Sequence, residues 1–255
     1  MVAGQEDQAG LESDPFMSAL VAAANTGVAE VSEAYRLDEA SLMRWMEGHV
    51  EGFRGPLCVS KFKGGQSNPT YRLDTASGAY VLRRKPQGSV LAGAHAVDRE
   101  ARVQSALASV GFPVARIFGF CDDAGVIGGP FYVMELVEGR IFWDATFPTV
   151  SRDKRPAYFT AMNRTLAALH RVDPARVGLA DCKPGNYFAR QISRWSRQYL
   201  DDPEAGRDAN MDQLAAELPR RIPETDESAI VHGDFRCENM IFHATEPWVE
   251  DPLKR

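Results

Sequence analysis

From Asp38 onward, Leu42, Trp45, Met46 and Val50 recur at helical spacing, with Asp38 placed as an N-cap and Gly52 beyond the end, which predicts one amphipathic helix. The period then shortens. Residues 57–62, 70–73 and 80–83 are β-branched and aromatic runs, separated by Gly64-Gly65-Gln66-Ser67-Asn68-Pro69 and Asp74-Thr75-Ala76-Ser77-Gly78, and they predict three antiparallel strands. A helical pattern returns over 97–110 through Val97, Ala101, Gln104 and Leu107, and stops at Gly111 ahead of Pro113. Residues 114–120 and 131–137 flank a Gly-rich turn and read as two further strands.

Beyond Glu138-Gly139 the pattern is helical. Residues 152–170 keep Phe159, Met162, Leu166 and Leu169 on one face, Ile192, Trp195 and Tyr199 continue the theme, and 212–218 form another candidate helix ahead of Pro219. Residues 1–33 are rich in Ala, Gly, Glu and Ser and read as a disordered tail with at most one short helix. The expected architecture is α+β: an antiparallel-sheet lobe over 34–137, a helical lobe over 138–255, and a join at about residue 138.

Composition narrows the function. The 255 residues are 44% hydrophobic and 25% charged, an ordinary globular profile. The net charge of −6, without a basic block, argues against nucleic acid as a partner. No apolar run has the length of a membrane helix, and Glu6 and Asp7 stand where a secretion signal would be positive, so a cytoplasmic protein with no membrane partner is expected. Cys58, Cys121, Cys182 and Cys237 lie far apart and read as reduced thiols.

The densest chemistry lies in Ile230-Val231-His232-Gly233-Asp234-Phe235-Arg236-Cys237-Glu238-Asn239-Met240-Ile241-Phe242. A short apolar strand there is expected to deliver Asp234 onto a tight turn, with Asn239 just before a second apolar strand. An Asp that takes a hydroxyl proton and an Asn oxygen that binds Mg²⁺ are two parts that phosphoryl transfer needs. Gly64, Gly65, Ser67 and Asn68 could bring backbone N–H groups against phosphates; a plain hairpin turn is the alternative. Arg83 ends a strand where a cation could reach the α and β phosphates, and Glu100 opens the next helix in position to hold it. A solvated helix face is the other reading of Glu100.

The order of these parts resembles the kinase-like folds, and in detail the aminoglycoside phosphotransferase and choline kinase superfamily. Segments 62–71, 80–86 and 186–192 look like the branch found alone in bacteria or fused to acyl-CoA dehydrogenases, and the resemblance runs from about Leu37 to Trp248. It implies a two-lobed protein-kinase-like fold, ATP and Mg²⁺ as cofactors, and transfer of the γ-phosphoryl group to a hydroxyl of a small molecule. By the same resemblance Asp234 is catalytic and Asn239 a metal ligand. Arg83 stands where most members have Lys, and Glu100 is its partner. The backbone at Glu135 and Val137 would bond adenine. His170 is expected to be a packed structural histidine, and Trp195 and Tyr199 either core or acceptor site.

One departure shapes the expectation. The family carries a second metal-binding Asp after a hairpin, whereas here Asp251 is followed by Pro252 and lacks an apolar approach. The second ligand and part of the helical lobe are therefore expected to be missing, which keeps open a nucleotide-binding pseudoenzyme or an inactive truncated fragment. A metal hydrolase built on His232, His243 and Asp234 is a further alternative.

Overall fold

The computed structural model describes residues 22–63, 68–86, 97–181, 187–204, 206–224 and 229–253. The helical pattern after Asp38 becomes α1 (Glu39–His49), capped by the Asp38 side chain, which accepts from the Ser41 amide at 2.9 Å. Its buried stripe of Leu42, Trp45 and Met46 packs on a six-stranded sheet. The strands are β1 (Val28–Ala29), β2 (Leu57–Phe62), β3 (Thr70–Thr75), β4 (Gly78–Arg84), β5 (Ile117–Cys121) and β6 (Phe131–Glu135). They run antiparallel throughout, in the order β1-β2-β3-β4-β6-β5.

Strand alternation sorts the side chains onto two faces. Tyr80, Leu82, Phe131 and Val133 join the cluster under α1, whereas Val81, Tyr132 and Met134 pack against Val97 and Ala101 of α2 (Val97–Ala108). The same period puts Arg83 on the α2 face, opposite Tyr132 in register. A separate apolar cluster includes Phe142, Phe147, Tyr158, Met240, Phe242 and Val249. It packs α4 (Arg155–Arg171) against a hairpin of β7 (Ile241–Phe242) and β8 (Val249–Asp251).

Several expectations need correction. The segment 1–33, expected to be a loose tail, contains β1, which pairs Val28 with Phe62 and Ala29 with Lys61. The Gly-rich turn before β6 holds a short helix, α3 (Ala124–Ile127), because Asp123 caps the Gly125 amide at 2.7 Å. Residues 230 and 231 form no strand, and Val231 is 69% exposed. The compact units also do not divide at residue 138: one is Met1–Leu169 with Val231–Arg255, the other His170–Ile230.

The reason lies in the linker. Arg140 and Phe242 exchange backbone hydrogen bonds of 2.7 and 2.8 Å, so the chain after β6 is stitched to β7. Gly139 makes this approach possible, since a Cβ there would overlap the Phe242 carbonyl and the Ile241 side chain.

The second unit contains α5 (Tyr187–Asp201) and α6 (Ala209–Glu217), followed by a 3₁₀ turn over Leu218–Arg221. The stop at Pro219 is thus a change of helix type, since Pro fits the first positions of a new turn. Trp195 is 56% exposed, and Tyr199 donates to Asp212 at 3.1 Å, so this aromatic face does not form a buried core. His170, expected to be packed, is exposed. No described helix is long and apolar enough to cross a membrane.

Candidate active site

The site starts from the alternation of β4. Arg83 is 2% exposed, and so buried a cation must be paired and hydrogen-bonded. Its Nη1 lies 3.4 Å from Glu100 Oε2 and its Nε donates to Thr70 Oγ1 at 3.3 Å. Glu100 is itself held from two sides, by Asn68 Nδ2 at 3.0 Å and by the Tyr132 hydroxyl at 3.2 Å. Gln104, one helical turn along α2, donates to that hydroxyl at 3.3 Å. Burial next to Glu100 pushes the Tyr132 hydroxyl up to about 12, so it remains a donor. For Arg83, burial works against the charge, and Tyr132, Glu100 and Asp251 outweigh it, so the guanidinium is held above its ordinary value.

Arg83 and Glu100 are thus brought together, and Asn68 joins them through its side chain. Gly64, Gly65 and Ser67 lie outside the described residues. Glu135 ends β6; its amide donates to the Arg116 carbonyl at 2.8 Å and its carboxylate accepts from the Arg116 amide at 3.2 Å. Val137 follows in the linker, where Leu136 and Val137 pack against the cluster of Val81 and Met134.

The second half of the site is the 232–239 turn. Gly233 has φ +82°, a left-handed conformation that glycine adopts without a Cβ penalty. The turn carries the Asp234 amide back to His232 Nδ1 at 3.2 Å. An acceptor at Nδ1 leaves the ring proton on Nε2, which donates to the Pro252 carbonyl at 2.6 Å. His232 therefore ties the 232–239 turn to the residue after Asp251. Asn239 closes the turn from the other end: its Nδ2 donates to the Asp234 carbonyl at 2.9 Å and to Oδ2 at 2.8 Å. The amide nitrogen is committed to Asp234, so the oxygen is what Asn239 can offer a cation.

The structure provides an apolar approach to Asp251 that is not visible in the sequence. Val249 is buried in β8, and the hairpin register sets Asp251 opposite Ile241, two residues after Asn239. Asp251 is 4% exposed, its Oδ1 accepting from the Leu253 amide at 2.8 Å. Burial pushes its carboxyl up to about 6, although the Leu253 amide and Arg83 pull the other way. A buried carboxylate gains from a neighbouring cation, because the opposite charge offsets the cost of desolvation.

Sequence reading missed two supports. Arg140 donates from Nε to the His243 carbonyl at 3.0 Å and from Nη2 to the Tyr158 hydroxyl at 2.7 Å, bracing the β7–β8 turn. The clue was a charge beside a glycine at the start of the linker. Arg236 lies on Asp234, with Nε 2.9 Å from Oδ1. His232 and His243 do not form a ligand pair, because each uses Nδ1 to accept backbone amides.

The Phosphotransferase enzyme family matches residues 59–250. Acyl-CoA dehydrogenase family member 11 of Rattus norvegicus is 44% identical over 223 residues, covering 85% of this chain and 28% of the relative. The chain thus spans little more than a quarter of the length of that curated relative. A crystal structure from Ralstonia eutropha, named as a candidate aminoglycoside phosphotransferase, is 47% identical with a TM-score of 0.76, covering 86% of this chain and 64% of that one. The streptomycin–ATP–APH(2″)-IIa ternary complex shares the fold, with a TM-score of 0.57 at 14% identity over 85% of this chain and 70% of that one. The antiparallel sheet and its helices are those of the kinase-like fold.

Proposed function

The chain belongs to the phosphotransferase enzyme family, and from that premise we propose that it is an ATP- and magnesium-dependent kinase acting on a hydroxyl of a small molecule. The observation that carries the reading is the joint placement of Asp234, Asn239 and Asp251: a half-exposed carboxylate held by an amide, and a buried carboxylate on the paired strand. Among the described residues no three His, Cys, Asp or Glu side chains are grouped to hold a metal, and the donors on offer here are the Asn239 amide oxygen and the Asp251 carboxylate. Such sparse hard-oxygen ligation suits Mg²⁺, which keeps water and takes substrate phosphates as its other ligands. When bound, the ion would neutralise charge on the phosphates.

The chain's own residues do the rest. Asp234 orients the acceptor hydroxyl and takes its proton as the new O–P bond forms; the bond from phosphorus to the ADP oxygen breaks with its electron pair on ADP. Asn239 fixes the Asp234 rotamer, and His232 holds the turn to the Pro252 carbonyl. Arg83, locked by Glu100, grips the phosphates, and Glu135 and Val137 present backbone to adenine. Asp251, buried on the strand paired with β7, is the group that supports this reading over a nucleotide-binding pseudoenzyme or an inactive truncated fragment.

The test is a magnesium-dependent ATP titration, followed by ADP release across a panel of alcohols. The panel includes an aminoglycoside and a hydroxylated acyl thioester, classes suggested by the names of the relatives. Saturable ATP binding with acceptor-stimulated ADP release is expected. Failure to bind ATP would overturn the reading.

A further inference from the structure

Arg236 is bound to the catalytic turn more closely than a solvated loop residue needs to be. Its Nε is 2.9 Å from Asp234 Oδ1, its Nη2 3.3 Å from Asp234 Oδ2, and its Nη1 2.6 Å from Glu238 Oε1. These contacts use three of the five guanidinium N–H groups and leave one on each Nη. The Arg236 side chain is 58% exposed and that of Asp234 44%. An ion pair so open to solvent contributes little to stability, so fold maintenance does not explain it.

The chemistry does. An acceptor oxygen within reach of Asp234 sits about 2.6–3.2 Å from the carboxylate. The phosphorus it attacks comes within about 3–3.5 Å of that oxygen. A guanidinium already seated on the carboxylate then has its outward N–H groups at the edge of the phosphoryl group. Without it, an anionic phosphoryl group would approach a bare carboxylate, and the two would repel.

We propose that Arg236 is a further catalytic residue, bridging Asp234 and the phosphoryl group during transfer. This rests on the kinase reading above. Arg236 keeps its proton throughout: the acceptor proton goes to Asp234, the acceptor oxygen bonds phosphorus, and ADP leaves with the electron pair of the broken P–O bond. Glu238 holds the other end of the guanidinium, so the planar fork stays oriented while the phosphoryl group passes.

The experiment measures ADP affinity with magnesium, alone and with aluminium fluoride as a mimic of the phosphoryl group in flight, in the parent, Arg236→Ala and Arg236→Lys. In the parent, aluminium fluoride should tighten ADP binding at least about tenfold, as transition-state mimics do. Arg236→Ala should keep the affinity for ADP alone but lose the tightening, Arg236→Lys should keep part of it, and millimolar guanidinium should restore it to the Ala variant. That rescue is a readout that a merely structural role would not move. If ADP binds and Arg236→Ala tightens as strongly as the parent, Arg236 is only a surface ion pair and the proposal falls alone. Tightening absent from the parent itself overturns it equally. If ADP does not bind the parent, the kinase reading falls and takes the proposal with it.

Discussion

Replacing Asp251 by Asn should stabilise the magnesium-free protein at neutral pH, and acid should erase the gain. Burial pushes the Asp251 carboxyl from its ordinary 3.8 up to about 6, against the pull of the Leu253 amide and Arg83. In the unfolded chain the group titrates near 3.8, so well below that pH it is neutral in both states and contributes nothing. As pH rises from about 4 to about 6 the unfolded chain gives up the proton first and folding is increasingly opposed; above about 6 the full penalty stands. Two pH units at about 1.4 kcal/mol each make it about 3 kcal/mol. Asn has nearly the same shape and keeps an oxygen for the Leu253 amide, without the buried charge.

The variant should therefore melt about 6–12 °C above the parent at pH 7.5 in chelator, at about 2–4 °C per kcal/mol for a chain of this size. The gap should close by pH 4, and magnesium should narrow it at pH 7.5 by stabilising the parent's carboxylate. Thermal melts of both proteins across this pH range, with and without magnesium, are the assay. A variant that melts no higher than the parent at pH 7.5, or a gap independent of pH, would refute the buried-charge account.

Asp234→Asn should lower phosphoryl transfer by about 10²–10⁴-fold while leaving ATP binding and melting temperature near those of the parent, as turnover and nucleotide titration would show. Arg83→Ala should weaken ATP binding in calorimetry, and unchanged affinity would remove Arg83 from the phosphate site. Glu100→Gln should lower stability by about 1–3 kcal/mol in denaturant titrations, because it withdraws the charged acceptor from a buried guanidinium. Gly139→Ala should cost about 1–3 kcal/mol by overpacking against Phe242 and should reduce activity in parallel, since the displaced strand leads from Asn239. A Gly139→Ala protein as stable as the parent would mean that the linker moves aside freely.

What the sequence revealed depended on how many residues carried each signal. β2, β4 and α2 have enough positions to show a period, and so Arg83 and Glu100 could be placed at a strand end and a helix start. Asp234 and Asn239 were visible through spacing within one turn. β8 has three residues and only Val249 carries its apolar signal, so alternation does not show, and Pro252 follows the strand without interrupting it. β1, with two exposed residues, has no pattern at all and exists through pairing with β2. Arg236 and Arg140 looked like ordinary surface charges, because their roles come from partners brought in by turn geometry and by distant chain. The change of composition at residue 138 was real, but composition does not report contacts, and the stitch between Arg140 and Phe242 crosses the expected boundary.

That stitch also sets an order for assembly. The Arg83–Glu100 pair closes over 17 positions of sequence, whereas Arg140 meets His243 across 103, with residues 170–230 inside the loop. Short-range contacts form ahead of long-range ones, so the strand end that carries Arg83 can be in place before the turn that carries Asp234 is closed. Closure entropy grows only logarithmically with loop length, and doubling the enclosed chain adds about 0.6 kcal/mol. The enclosed unit can therefore lengthen, shorten or change sequence through evolution at little thermodynamic penalty, while the turn that holds Asp234 continues to close on the same linker.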